Sequence, residues 1–232
     1  MEHSFRGLVV SAAFALIDET RAYEPRAEAA AFVLALRTRG IADLSLLRAM
    51  ETVPRELFAP RRYADLARHD IALPLPCGET MTAPTVVAVM VRALGVGSGQ
   101  RILEIGTGSG YVTALLCALG GDVDSIERRP VLADSAWQRI KAAGFSERCG
   151  MDCRDGFADD GRETRYDRIL VNGALAEGTV PESLTSLLAA GGRLVAGNRD
   201  ASGSVRLMTV LCASEGELAV SMGAPIRLPA IS

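Results

Sequence analysis

Residues 101–110 read Arg101-Ile102-Leu103-Glu104-Ile105-Gly106-Thr107-Gly108-Ser109-Gly110, and Tyr111-Val112-Thr113-Ala114-Leu115-Leu116 follows at once. A short apolar run, three glycines at alternate positions and a longer apolar run predict a strand, a tight loop and a helix. Glycine belongs where a backbone turns sharply and approaches a ligand closely. The first turn of the helix adds N–H groups that have no partner inside the helix and that attract anionic or polar atoms. The stretch therefore predicts a βα unit whose loop faces a bound group.

The same alternation continues downstream. Asp122 to Glu127 predicts a strand and Pro130 to Ala143 a helix, with Leu132, Ala136, Ile140 and Ala143 on one side. Arg148 to Cys153 and Asp167 to Val171 predict further strands, Pro181 to Leu188 a helix, and Gly192 to Ala196 another strand. Val205 to Leu211 and Glu217 to Met222 alternate at period two across Ser214-Glu215-Gly216, which reads as an antiparallel hairpin on the sheet edge. The fold class is α/β: a doubly wound, mostly parallel seven-stranded sheet with helices on both faces. Upstream, an N-terminal helical cap is predicted from about Ala27 to Arg39 and from the capping Asp43 to Val53. The proline-rich stretch from Val53 to Val86 reads as irregular, and Pro84 opens a helix to Leu94.

The length of 232 residues, with 49% apolar and 23% charged content, suits one domain. Twenty-five basic residues face 28 acidic ones, a net charge of −3, and no block of like charge occurs. A nucleic-acid surface or an anionic-membrane surface is therefore not expected. The apolar run Leu8 to Ile17 is half a membrane span and lacks the flanks of a signal peptide, so a cytoplasmic location is expected. The five cysteines lack zinc spacing and read as reduced, buried small hydrophobes, and no metal is expected. Ser109 fails the hydrolase elbow pattern, because Thr107 and Tyr111 stand where that pattern needs glycines. His69 reads as a surface or satisfied histidine, and Trp137 as packing.

Spacing narrows the ligand. The dinucleotide fingerprint wants a glycine at position 111, which is Tyr, whereas the tighter pattern ending at Gly110 is that of S-adenosylmethionine binders. Glu127 ends the second strand, where a carboxylate can accept both hydroxyl protons of a ribose. Asp155-Gly156 follows the third strand, where the carboxylate can accept from an adenine amino group and Gly156 can leave the base room to lie flat.

Val53-Pro54-Arg55-Glu56-Leu57-Phe58, Gly78-Glu79-Thr80-Met81-Thr82-Ala83-Pro84, the glycine loop, Arg154-Asp155-Gly156, Tyr166 to Val171 and Gly191 to Val195 occur in one order. That ordered set, over residues 28 to 200, resembles the protein-L-isoaspartate O-methyltransferase family. The resemblance implies a Rossmann-like class I methyltransferase core from residue 84 to 232, preceded over 1–83 by helices and a substrate-covering segment. It implies S-adenosyl-L-methionine as methyl donor and an isoaspartyl carboxylate in a peptide or protein as acceptor. The resulting ester collapses to a succinimide, which begins repair. It places the donor against Glu104, Gly106, Thr107, Gly108, Ser109, Gly110 and Arg128, with Glu127 at the ribose and Asp155 and Gly156 at the adenine. Thr80, Met81 and Thr82 cover the reacting centre, and the Thr82 hydroxyl, where the family usually has serine, orients the acceptor. Threonine keeps the hydroxyl and adds a stiffening methyl. Thr85 stands where the family often has an aromatic residue or His. Val53 to Phe58 otherwise reads as a helix stop followed by an anchoring Phe58.

A carboxylate is ionised at neutral pH, so the chemistry asks for no general base and rests on placement. Two other readings stay open at this level: the same fold acting on a peptide natural product or small metabolite, and a non-catalytic module that binds S-adenosylmethionine. The oligomeric state, a monomer included, is not legible.

Overall fold

The computed structural model describes residues 27–158, 161, 163–176, 180–214 and 216–231. The N-terminal apolar run, His3 and Glu215 lie outside the described residues. The centre is β3 (Arg101–Ile105), in which Ile102 and Glu104 face one layer of side chains, Leu103 and Ile105 the other, and all four are buried. It pairs in parallel with β4 (Asp122–Glu127) on one side and β6 (Tyr166–Ala176) on the other. β5 (Cys149–Cys153) lies beyond β4, and β7 (Leu188–Arg199) beyond β6, both parallel. The hairpin β8 (Val205–Cys212) and β9 (Leu218–Pro225) completes the sheet antiparallel, in the order β5-β4-β3-β6-β7-β8-β9. The chain leaves β3 toward β4 and β5 and then returns to its opposite side, so a crevice opens at the carboxyl ends of β3 and β6.

One sheet face carries most of the helices. Phe32 and Leu36 of α1 (residues 27–38), Leu46, Leu47 and Met50 of α2 (Leu44–Thr52), and Val87, Met90, Val91 and Leu94 of α4 (Pro84–Leu94) share one core with α5 (Tyr111–Ala118) and α6 (Pro130–Ala142). Asp43 caps α2 by accepting from the Leu46 N–H at 2.9 Å, and Gly95, with φ +66°, ends α4. Proline opens α4 and α6, where its missing N–H costs nothing. The other face is a second core around Leu103, Ile105, Ile169, Val171 and Leu194, with Leu184 of the short α7 (Glu182–Thr185) packed in it.

Three local expectations are corrected. The helix expected from Pro181 to Leu188 is one turn, because Leu188 already enters β7 opposite Tyr166 and the Gly191-Gly192 pair carries a bulge before Arg193 meets Arg168. The stretch from Val53 to Val86 is ordered as α3 (Arg55–Phe58), a 3-10 segment (Arg61–Leu66) and a small hairpin of β1 (Leu73–Pro74) and β2 (Thr80–Met81). Cys117, Cys149 and Cys212 are buried as expected, but Cys77 and Cys153 are exposed in a turn and at a strand end. His69 is exposed, and Trp137 is half-buried with the Lys141 ammonium 4.9 Å from its ring centroid. No described helix is long and apolar enough to cross a membrane.

Candidate active site

A cleft lies at the crevice predicted by the strand order. Its floor is the glycine loop, its sides come from the end of β4, Asn172 within β6 and the turn after β5, and its cover comes from Glu79 to Thr82. The loop turns because Gly106, Gly108 and Gly110 all take left-handed φ, at +89°, +57° and +86°. Gly110 is the residue before α5, and a Cβ there would stand 3.2 Å from the Ala136 Cβ and 3.3 Å from Ile140. Its glycine therefore answers to helix packing, α5 on α6, rather than to the cleft.

Glu127 is buried and reaches back to the loop. Its Oε2 accepts from the Gly108 N–H and its Oε1 from the Arg129 N–H, both at 2.9 Å, which leaves each oxygen a second lone pair toward the cleft. Asp155 accepts from the Phe157 N–H at 2.9 Å, which shapes the turn after β5 and leaves its other oxygen without a described hydrogen bond. A Cβ on Gly156 would lie 2.6 Å from Ile105 Cγ2, so the turn presses against the end of β3. Ile105, Ile126, Leu132 and Phe157 give this end of the cleft apolar walls beside the two carboxylates.

Glu104 sits behind the loop with no exposure at all. Its Oε2 accepts from Thr113 at 2.5 Å and from Ser125 at 2.7 Å, and its Oε1 from the Asn172 amide at 2.6 Å. The same amide reaches the Gly106 carbonyl at 3.1 Å, and Ser125 is 2.6 Å from Thr107. Desolvation by burial pushes the Glu104 carboxyl up to about 7, the three donors pull it down, and the charge of Glu127 adds to the rise.

The cover is pinned from outside the cleft. Leu73 and Pro74 pair with Met81 and Thr80. The Arg55 guanidinium, only 1% exposed, donates through Nη2 to the Thr82 carbonyl at 2.8 Å and through Nη1 to the Ala67 carbonyl. It lies 5.5 Å from the ring centroid of Tyr111, and burial holds it down to about 10. Asp70 takes the Thr85 N–H at 2.9 Å and the Thr85 hydroxyl at 2.8 Å, fixing the first turn of α4 just after the cover. At the other rim the chain returns as Pro229, Ala230 and Ile231. Ala174 and Ala230 form a bridge, and Ile231 Cδ1 lies 3.4 Å from where a Gly106 Cβ would be.

Thus Thr80, Met81, Thr82, Gly106, Thr107, Gly108, Ser109, Glu127, Arg128, Asp155 and Gly156 line one cleft, whereas Glu104 and Gly110 stand behind it. Sequence reading missed Asn172, Tyr111 and the Pro229–Ile231 segment as cleft walls, and gave Arg55 no bridging role.

Carboxylates with spare lone pairs, an apolar slot and a glycine loop at a helix start suit a nucleoside joined to a polar amino-acid tail, and so fit S-adenosylmethionine. Fold and cleft define a class I S-adenosylmethionine-dependent methyltransferase. A family model described as protein-L-isoaspartate(D-aspartate) O-methyltransferase matches residues 27–227. The chain belongs to that family. It is 42% identical over 194 residues to the protein-L-isoaspartate O-methyltransferase 2 of Rhodopseudomonas palustris strain HaA2, covering 84% of this chain and 88% of the relative. It is likewise 42% identical over 192 residues to the protein-L-isoaspartate O-methyltransferase of Nitrobacter winogradskyi, covering 83% and 87%. The fold is shared with a Plasmodium falciparum protein assigned to this enzyme type and solved with S-adenosyl-L-homocysteine. The TM-score is 0.75 at 19% identity, over 87% of this chain and 97% of that one.

Proposed function

We propose that this enzyme methylates the free carboxylate of an isoaspartyl residue in a peptide or protein, with S-adenosyl-L-methionine as donor. The observation that carries the reading is the joining of the glycine loop, Glu127 and the Thr80–Thr82 cover over one cleft. When bound, S-adenosylmethionine supplies a methyl group made electrophilic by its sulfonium. Glu127 holds the ribose hydroxyls, Asp155 the adenine amino group, and the N–H groups at the loop and the start of α5 the amino-acid tail. Arg128, next to Glu127, also lines the cleft.

Thr82 takes the acceptor, its hydroxyl donating to one carboxylate oxygen so that the other is aimed at the methyl group. No side chain removes a proton, because a carboxylate of pKa about 4 is already ionised. The protein contributes orientation and exclusion of water, effects that supply up to about 7–11 kcal/mol where geometry is right. Met81, buried beside Thr82, and Ile231, on the opposite rim, narrow the approach.

The test offers radiolabelled S-adenosylmethionine to an isoaspartyl peptide and to its aspartyl twin. Label on the isoaspartyl peptide alone is expected; donor binding without label on either peptide would overturn the reading.

A further inference from the structure

A guanidinium withdrawn from water with no carboxylate in direct contact needs a reason. Among the described residues Arg55 makes no salt bridge, and Asp70 and Glu56 attract it only from longer range; its described hydrogen bonds run to two main-chain carbonyls, and its Nε has no described hydrogen-bond partner. Carrying a charge into such a place is costly unless the structure gains something specific from it. What it gains here is a crosslink: Nη1 holds Ala67, at the end of the 3-10 segment, and Nη2 holds Thr82, in the cover. The planar fork suits this role, since its two donors leave the same carbon at a fixed angle, which a lysine ammonium does not reproduce.

The guanidinium lies against the ring of Tyr111, which in turn lies 5.8 Å from the Phe58 ring centroid. Tyr111 is the first residue of α5, directly after the glycine loop, and it lines the cleft. Arg55 thus touches both the cover, through the Thr82 carbonyl, and the donor side, through Tyr111, without itself lining the cleft.

We infer that Arg55 is a positioning residue: it fixes the main chain of Thr82 relative to the start of α5, and so sets where the Thr82 hydroxyl meets the acceptor carboxylate. This rests on the proposed carboxyl methylation. A residue acting in this way changes turnover through the cover and leaves the donor pocket intact, because Glu127, Asp155 and the loop have their own partners.

The test compares wild type, Arg55→Lys and Arg55→Met with S-adenosylmethionine and an isoaspartyl peptide, alongside amide hydrogen exchange with S-adenosylhomocysteine bound. Wild-type methylation of the peptide tests the function itself. The exchange measurement needs no acceptor, so the two readings fail separately. Arg55→Met is expected to lower kcat 30-fold or more with the dissociation constant for S-adenosylhomocysteine within threefold. Exchange should rise at least tenfold over residues 79–85 while β3 and β4 keep their protection. Arg55→Lys, which keeps the charge and loses the fork, should lose fivefold or more in kcat with the same local pattern. It carries the test alone if Arg55→Met does not fold. Unchanged kcat, unchanged exchange over 79–85, or a loss spread evenly over the whole sheet in the folded variant would overturn the inference.

Discussion

The Glu127 carboxylate accepts the N–H of Gly108 at 2.9 Å, so the end of β4 and the glycine loop move as one piece. The same carboxylate lines the cleft, so its removal frees the loop and takes away the ribose contact proposed above. Glu127→Ala should weaken S-adenosylhomocysteine binding by about 1.5–3 kcal/mol, the range for hydrogen bonds to a charged group. Titration calorimetry checks this, and an unchanged affinity would remove Glu127 from the site.

Thr82 belongs to the cover and makes its described hydrogen bond to Arg55 through its carbonyl, so its hydroxyl is left for an acceptor. Thr82→Ala should lower kcat about 100-fold, some 2.7 kcal/mol, with donor affinity within twofold. Thr82→Ser should retain most of the rate. Equal rates for wild type and Thr82→Ala would show that the hydroxyl is irrelevant.

Glu104 gives stability a pH dependence of unusual sign. Its carboxyl titrates near 7 when folded and near its ordinary 4.5 when unfolded, so the folded state holds an extra proton between those values. That contribution is full below about pH 4.5 and is lost as pH rises through about 7, an amount on the order of 3 kcal/mol. Glu104→Gln is neutral throughout and should be relatively more stable than wild type at pH 8 than at pH 5, as read by urea unfolding. Parallel stability profiles for the two proteins would refute this.

Gly110→Ala tests the packing reason for that glycine. A left-handed φ costs an L residue about 1–2 kcal/mol, and the new methyl would press on Ala136 and Ile140. A loss of about 2 kcal/mol in unfolding free energy is expected, with a larger effect on stability than on donor affinity. A change below about 0.5 kcal/mol in stability would count against it.

Local signals carried the reading where one face and one period decide the answer. β3, the loop and α5 follow from residues 101–118 alone, and the edge hairpin follows from the alternation of Val205, Leu207, Thr209 and Leu211. The short α7 was misread because Leu184, Leu187 and Leu188 serve equally as a helix stripe and as the run into a bulged strand. The partners of Glu104 escaped notice for another reason: Thr113, Ser125 and Asn172 converge on it from three separate elements, which no spacing in the chain announces. Arg55 illustrates the same limit, because its contacts, Ala67, Thr82 and Tyr111, are set by tertiary packing.

Pro229 to Ile231 lie on the cleft rim, bridged to β6 and pressed on the glycine loop, whereas the cover comes from residues 79–82. During synthesis the loop is made long before the segment that walls it. The nascent chain can form β3, β4 and α5 early, but the cleft closes only after β9 has emerged and the tail has crossed back to Ala174. A growing chain is therefore expected to gain its full affinity for the methyl donor only after residues 229–231 have emerged.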